Sequence, residues 1–434
     1  MNVVDIVVFF ITQILGQAYV IMGLITLVGM LLLRKRLSEV FTSTLKTMFG
    51  IIILFLGVNG MVGPIITMSG LMNTLFGVTG LATGGGAPIF GLKEPADFTL
   101  VGSMTLILAF ALQLLVARFT RWKYVYIVGN MMPVWSYGVP MCFSIAIQDP
   151  IILILLSSVV CTAYWTIGPA LVHQWDKEWI PGASYTLGHC QYIGEVMGGY
   201  LGPYIGDPKK ESAENIKFPG WLSIFADNTI LNTTVLLVMW IIIGVAAGPT
   251  LLGTYAGGTW VPIWVLSQAL YFTCGLTVIL FGVRIMIGQL TMAFEGFREK
   301  VVPGAVPAYD CPTVYPYGPQ AVTVGFVFYL IGQVLGTLSQ VAVHYPYVAL
   351  PGAFLFFDGA TIGVYADKRG GWKTAAIVGI ITGMMCIWGT SLQYPLYPAA
   401  VKMYSGPGTY GGNLDEMVLW VPIVFIANMF RTVP

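Results

Sequence analysis

The chain has 434 residues and a formal net charge of +1, with 57% hydrophobic and only 9% charged residues. Its mean hydropathy is +0.81. Soluble domains carry roughly 25% charged residues, so this composition excludes a water-soluble enzyme and gives no reason to expect a nucleic-acid partner. It is typical of a protein that lies in membrane lipid.

Apolar stretches of about 20 residues, the length that crosses a bilayer as a helix, recur along the whole chain. In chain order they cover residues 7–33, 42–66, 98–117, 124–147, 150–172, 226–250, 258–284, 305–345, 347–366, 372–392 and 417–431. A β-barrel strand would alternate apolar and polar residues, whereas 151–156 is apolar on every side. We therefore predict an all-α polytopic membrane protein with about eleven transmembrane helices.

Positive charge in short loops marks the cytoplasmic side of a membrane. Clusters of Lys and Arg follow alternate predicted spans, at 34–36, 118–123, 209–217, 298–300 and 368–373. In the opposite loops, 68–97 and 393–416, the only basic residues are Lys93 and Lys402. We predict a multi-pass protein of the bacterial inner membrane, with its N-terminus outside and its C-terminus in the cytoplasm.

Two segments rich in Gly and Pro fall at membrane depth, at 57–64 and at 303–312. Broken or re-entrant helices of this kind are tolerated only beside protein or a water-filled cavity. Short similarities between the segments at 45–50 and 299–304, and at 127–130 and 350–353, suggest a weak internal repeat. Interrupted segments in two corresponding halves point to a transporter's substrate site, although a plain structural kink is an equal alternative at any one break.

Asp310 lies in the second broken segment, where an ionisable side chain is costly and usually faces a polar cavity. We expect it to line the substrate site. In the alternative, its carboxylate accepts hydrogen bonds from backbone N–H groups that the neighbouring prolines leave free. Both roles can coexist.

A second candidate segment contains His189 and Gln191, whose side chains both donate and accept hydrogen bonds and could hold a hydroxylated solute. A lone histidine is more often structural. Gly194, Gly198 and Gly202 follow at four-residue spacing, which predicts close helix packing.

Among the predicted spans, only Lys46 places a basic residue in a span interior, near one end from which it could reach the interface. We therefore expect a neutral or weakly acidic sugar or polyol, with Trp135 available for the apolar face of its ring. The sequence has no phosphate-binding GxxxxGK[ST] loop, metal-spaced His/Cys set or nucleophile elbow. We predict no catalytic residue, metal site or cofactor.

Several motifs, taken together, resemble the membrane component (enzyme II C) of the ascorbate-type phosphotransferase system (PTS). They occur in order at 32–35, 46–50, 188–189, 218–228, 302–306, 310–311, 359–366 and 370–372. The resemblance implies a homodimeric sugar permease with a dimerising scaffold and a mobile core, which carries the sugar across by an elevator-type movement. A separate B component then phosphorylates the sugar, with phosphate passed from phosphoenolpyruvate through HPr and an A component.

No soluble stretch of the chain is long enough to fold as an A or B domain. We predict that 1–434 is a single EIIC membrane domain, which by itself is not the phosphoryl-transfer catalyst. Its two pseudo-repeated halves would cover about 1–206 and 258–434, with a cytoplasmic linker at 207–220.

The resemblance assigns His189 and Asp310 to the substrate site, and it adds positions at which this chain departs from the ascorbate proteins. Where those proteins have Gly-His and paired glutamines, this sequence has Asn130 and Trp135. The glutamine expected after the histidine is Cys190, followed by Gln191.

The chain departs from the ascorbate proteins in two further places. Asn59 replaces a serine, and the outer loop, polar in those proteins, contains Gly85 and Gly86 here. Since matched polar groups give such sites their discrimination, these departures leave a pentose, hexose or polyol as an alternative to ascorbate. The residues alone also leave open an ion-coupled secondary transporter, with Asp310 or Glu195 carrying the coupling charge, and a non-transporting receptor or scaffold.

Overall fold

The computed structural model describes residues 18–76, 81–82, 96–129, 131–183, 185–216, 220, 227–352, 356–396 and 412–431. Its helices are α1 Ala18–Leu32, α2 Leu37–Phe76, α3 Ala96–Phe119, α4 Met131–Phe143, α5 Pro150–Trp179, α6 Tyr192–Ile205, α7 Pro208–Glu211, α8 Asn228–Ala256, α9 Val261–Lys300, α10 Pro319–Ala342, α11 Phe356–Gly370, α12 Trp372–Gln393 and α13 Leu414–Met429. Its strands are β1 Leu81–Ala82, β2 Tyr124–Tyr126, β3 Thr186–Leu187, β4 Val306–Tyr309 and β5 Ala349–Leu350.

Seven helices in the described ranges are long and apolar enough to cross a membrane. These spans are Leu37–Met61, Leu100–Phe119, Pro150–Trp179, Thr233–Ala256, Val261–Lys300, Pro319–Ala342 and Trp372–Leu396. The predicted fold class, an all-α polytopic membrane protein, is confirmed. The count of eleven spans stays a prediction, since 124–147 and 347–366 each form a short strand followed by a shorter helix.

The first predicted break, at 57–64, is wrong because α2 continues through it as one 40-residue helix that contains Pro64. The glycines there allow close packing instead. A Cβ atom on Gly57 would lie 2.5 Å from the carbonyl oxygen of Gly275, and one on Gly282 would lie 2.5 Å from that of Gly50. Small residues let membrane helices approach in this way, so α2 and α9 form a tightly packed pair.

The second predicted break, at 303–312, is confirmed. After α9 ends at Lys300, the chain forms β4, two short 3-10 turns at Cys311–Thr313 and Tyr315–Tyr317, and then α10. Strand β4 lies between β2 and β3, both parallel to it. The sheet satisfies backbone groups that would otherwise be unpaired inside a bilayer.

Helix α6 packs closely against α11 through the predicted glycine face. A Cβ atom on Gly198 would lie 2.9 Å from that of Ala366, and one on Gly202 would lie 2.6 Å from that of Arg369. The structural interpretation of this spacing is therefore correct. Helix α6 brings its N-terminus, directly after Gln191, into the interior of the protein.

Candidate functional site

The parallel pairing of β3 with β4 brings two distant loops side by side. The backbone N–H of Gly188 donates to the carbonyl oxygen of Tyr309 at 2.6 Å, immediately after the strands end. A Cβ atom on Gly188 would lie 2.8 Å from the carbonyl oxygen of Ala308, so this close approach requires glycine. As a consequence, the residues that follow each strand, His189 and Asp310, are neighbours.

His189 is the centre of a buried polar cluster. Its Nε2 lies 3.7 Å from Asp310 Oδ1 and its Nδ1 lies 4.0 Å from Asp358 Oδ1. The same Nδ1 contacts Gln191 Oε1 in a short hydrogen bond. Only 2% of the His189 side chain is exposed, against 11% for Asp310. We call His189, Gln191, Asp310 and Asp358 the His189 cluster.

The structure supports the structural role considered for Asp310. Its Oδ1 accepts a hydrogen bond from the backbone N–H of Cys311 at 2.7 Å, at the start of the first 3-10 turn. Its backbone carbonyl accepts from the N–H of Thr313 at 3.0 Å. The carboxyl group thus stabilises the turn in the broken segment and still lies next to His189.

Two helices begin beside this cluster, and an aspartate caps each of them. Asp415 accepts hydrogen bonds from the backbone N–H groups of Tyr192 (2.7 Å) and Ile193 (3.0 Å) at the start of α6. Asp358 accepts from the side chain of Asn413 (2.6 Å) and the N–H of Leu414 (2.7 Å) at the start of α13. A helix N-terminus carries partial positive charge. The starts of α6 and α13 therefore stabilise the buried carboxyl groups of Asp415 and Asp358.

Cys190 and Trp135 pack behind the cluster. The indole N–H of Trp135 donates to Cys190 Sγ at 3.1 Å. One face of Trp135 is covered by Tyr164, whose ring centroid lies 3.5 Å away at an interplanar angle of 12°. Tyr164 also donates hydrogen bonds to Asp415 (2.5 Å) and to the carbonyl oxygen of His189 (3.3 Å). Trp135 therefore supports the loop that carries His189, and its covered face is not free to stack on a sugar.

Of the remaining residues of the predicted site, the structure describes only Asn59. Asn59 is exposed on α2, and in the described part of the chain no hydrogen bond joins it to the His189 cluster. Asn130, Gly85 and Gly86 lie outside the described residues. Most of the predicted linker, 207–216, is described, and it forms α7 and a 3-10 turn at Ala213–Asn215.

Sequence reasoning missed Asp358 and Asp415, both completely buried. A signal was present for α13, because Asn413 and Glu416 have the spacing of a capping box, which the structure contains. A helix start of this kind in an apolar region could have marked a helix that begins inside the protein.

Two residues of the His189 cluster and the adjacent Cys311 bring together atoms that can ligate a metal. His189, Asp310 and Cys311 each offer one ligand atom, and these atoms lie within 4.8 Å of one another. Imidazole, carboxylate and thiolate are the ligand types that zinc prefers. The set supplies three ligands from two loops.

Known proteins resemble this chain over most of its length. The family model EIIC-GAT, described as "PTS system sugar-specific permease component", matches residues 13–414. The "Ascorbate-specific PTS system EIIC component" of Mycoplasma pneumoniae is 28% identical over 441 residues, which cover 88% of this chain and 66% of that protein. This chain thus spans just under two thirds of that relative's length. Since the family match covers far more than half of the sequence, the chain belongs to the family of PTS sugar-specific permease components.

Proposed function

We propose that this chain binds an ascorbate-like sugar or polyol at the His189 cluster and moves it across the membrane, for phosphorylation by a separate B component. One observation carries the proposal. His189, Asp310, Asp358 and the N-termini of α6 and α13 meet where β4 and the 3-10 turns interrupt the membrane helices. Irregular backbone and paired helix ends inside a membrane are typical of transporter substrate sites.

The side chains of the cluster suit a solute rich in hydroxyl groups. Each hydroxyl can donate to a carboxyl oxygen and accept from an imidazole or amide N–H. Asp310 and Asp358 offer acceptors on two sides of His189, and the amide nitrogen of Gln191 is buried without a partner in the described chain. A sugar that satisfied this nitrogen would relieve the cost of an unpaired buried donor.

Domain movement is part of the proposal because His189 is almost fully enclosed. The His189 cluster belongs to loops and helices that follow α5, α9 and α10, whereas α1, α2 and α9 pack together along their lengths. We assign the second group to a dimerising scaffold and the cluster to a mobile core that moves as a rigid body. The tight glycine packing between α2 and α9 supports a rigid scaffold.

The proposed setting is the bacterial inner membrane, with the N-terminus outside and the C-terminus in the cytoplasm, where separate A and B components act. The basic residues after alternate helices support this orientation. The N–H of Val306 donates to the carbonyl oxygen of Lys123 where β4 pairs with β2. This contact with a basic loop supports a position of the Asp310 loop towards the side at which a B component would receive the sugar.

The proposed substrate is an ascorbate-like sugar or a related polyol. The relative from Mycoplasma pneumoniae is named ascorbate-specific, which supports an ascorbate-like ligand. Cys190 and Trp135, which replace polar residues expected from the resemblance, are both buried and bonded to each other. Because the polar residues that they replace are lost, fewer side chains are available to select ascorbate. The set of proposed substrates therefore includes a pentose, a hexose or a polyol.

Coupling to phosphorylation can be tested by sugar uptake in cells that express the chain with A and B components, with and without HPr. We expect uptake of labelled ascorbate, or of a polyol, only when HPr is present, and recovery of the sugar as its phosphate. Accumulation without HPr that follows a proton or sodium gradient would contradict the proposal and would support the ion-coupled alternative.

A further inference from the structure

A cavity of about 420 Å³ lies between α9 and the broken segment that carries Asp310. The 3-10 turns contribute Thr313, Tyr315 and Tyr317 to its wall, and Tyr185 closes one side. Arg284 of α9 also lines it. The cavity thus combines one cation with several hydroxyl groups on otherwise apolar walls.

Arg284 is the last residue of the predicted span 258–284, but it lies in the interior of helix α9. The predicted span ended at 284, but α9 continues for another sixteen residues to Lys300. At 1.5 Å per residue, Arg284 lies about 21 Å along the helix axis from Arg298, which belongs to the cluster of positive charge at the end of α9. A basic residue so far inside an apolar helix is costly and normally faces a polar cavity.

Arg284 has no anionic partner in the described part of the chain. None of the ion pairs found there includes it, and its side chain is exposed. A second group in the same cavity is also unsatisfied, because Thr313 Oγ1 is buried without a hydrogen-bond partner among the described residues. A guanidinium and a hydroxyl that both lack partners point to a ligand with an anionic group and hydroxyl groups.

The wall of the cavity and the His189 cluster are formed by neighbouring residues of the same segment. Thr313 lies three residues after Asp310, and its N–H donates to the Asp310 carbonyl oxygen at 3.0 Å. Tyr315 lines the cavity, while its hydroxyl group lies 3.6 Å from Cys311 Sγ and donates to the carbonyl oxygen of Phe357, next to Asp358, at 3.4 Å. A solute in the cavity is therefore separated from the cluster by Tyr315 and the first 3-10 turn.

We propose that Arg284 and Thr313 form a second substrate subsite, which receives the anionic group of a sugar acid before or after it occupies the His189 cluster. This inference rests on the proposed function and narrows its substrate class. The His189 cluster contains no Lys or Arg, so Arg284 supplies a cationic group that can hold the anionic part of a sugar acid along its route. A neutral polyol needs no such residue.

Equilibrium binding to the purified full-length chain in lipid nanodiscs tests the subsite. The probes are labelled ascorbate, which is an anion at neutral pH, and the neutral polyol sorbitol. Since a hydrogen bond to a charged group contributes about 1.5–3 kcal/mol, Arg284→Gln should weaken ascorbate binding by about tenfold or more. Arg284→Lys should retain most of the affinity, and Thr313→Val should lower it by about fivefold. Sorbitol binding, where present, should not change.

The matched control is Arg298→Gln, on the same helix but in the cytoplasmic cluster, which should leave ascorbate binding unchanged. Unaltered ascorbate affinity in Arg284→Gln would overturn the inference, as would an equal loss for ascorbate and sorbitol. Displacement of ascorbate by inorganic phosphate at similar concentration would also contradict a site selective for a sugar acid. A wild-type chain that binds only neutral sugars contradicts this inference alone, whereas one that binds no sugar contradicts the proposed function as well.

Discussion

Replacement of Asp415 by alanine should destabilise the protein much more than the loss of an ordinary helix cap. Asp415 is completely buried and accepts three hydrogen bonds, from the N–H groups of Tyr192 and Ile193 and from the hydroxyl group of Tyr164. A buried donor left unsatisfied costs about 1–3 kcal/mol. With three donors affected and some relaxation around them, we expect a loss of about 3 kcal/mol or more in the free energy of unfolding.

Asp149 provides a control, because it caps α5 by accepting hydrogen bonds from two backbone N–H groups, as Asp415 does for α6. Its Oδ1 accepts from the N–H groups of Ile151 (2.8 Å) and Ile152 (3.1 Å), but the residue is exposed. Water can replace a lost exposed cap, so Asp149→Ala should cost only about 1 kcal/mol. Asp415→Asn, which keeps one acceptor oxygen, should fall between the two alanine variants.

The assay is reversible unfolding in mixed micelles, with purified wild-type and variant chains compared under identical conditions. Equal destabilisation by Asp415→Ala and Asp149→Ala would refute the reasoning, since burial of the cap would then make no difference. The same result would indicate that water reaches the start of α6. Asp415→Ala should also weaken sugar binding, because α6 and the loop of His189 share Tyr164.

Three further perturbations have definite expected outcomes. Gly282→Leu should cost about 1–3 kcal/mol by overpacking the α2–α9 contact, whereas Gly288→Ala, with open space around it, should have little effect on stability in the same unfolding assay. Glu195→Gln should retain HPr-dependent uptake, and complete loss of uptake would favour a coupling role for this carboxyl group. A reporter active only in the cytoplasm, fused after Pro434, should give signal, and its silence would contradict the proposed orientation.

The two segments rich in Gly and Pro show what residue pattern can and cannot predict. In 57–64, Gly57 and Gly60 face α9 and the single proline is accommodated, so the helix continues. In 303–319, five prolines recur every three to five residues, which no helix can accommodate. The number of prolines distinguished the two cases, but the partner of the first glycine face could not be known without the position of α9.

Asp310 and His189 were identified as site candidates from the sequence, whereas their proximity depends on strands too short to predict. Two residues of β3 and four of β4 place them together. Asp415 was overlooked because it lies just before an apolar stretch, where an acidic residue is usually exposed, whereas Asp358 lies in the middle of the stretch 347–366 and should have been noticed. Arg284 was overlooked because it was the last residue of the predicted span, whereas helix α9 continues for sixteen residues beyond it.

Binding of the sugar to His189 variants is the most direct test of the central claim. We expect that His189→Ala and Asp310→Asn, purified as monodisperse full-length protein in nanodiscs, no longer bind the labelled sugar that the wild-type chain binds, while Asp149→Asn binds it normally. Wild-type affinity in both His189→Ala and Asp310→Asn would contradict the account, because the cluster could then not be the place where the solute is held.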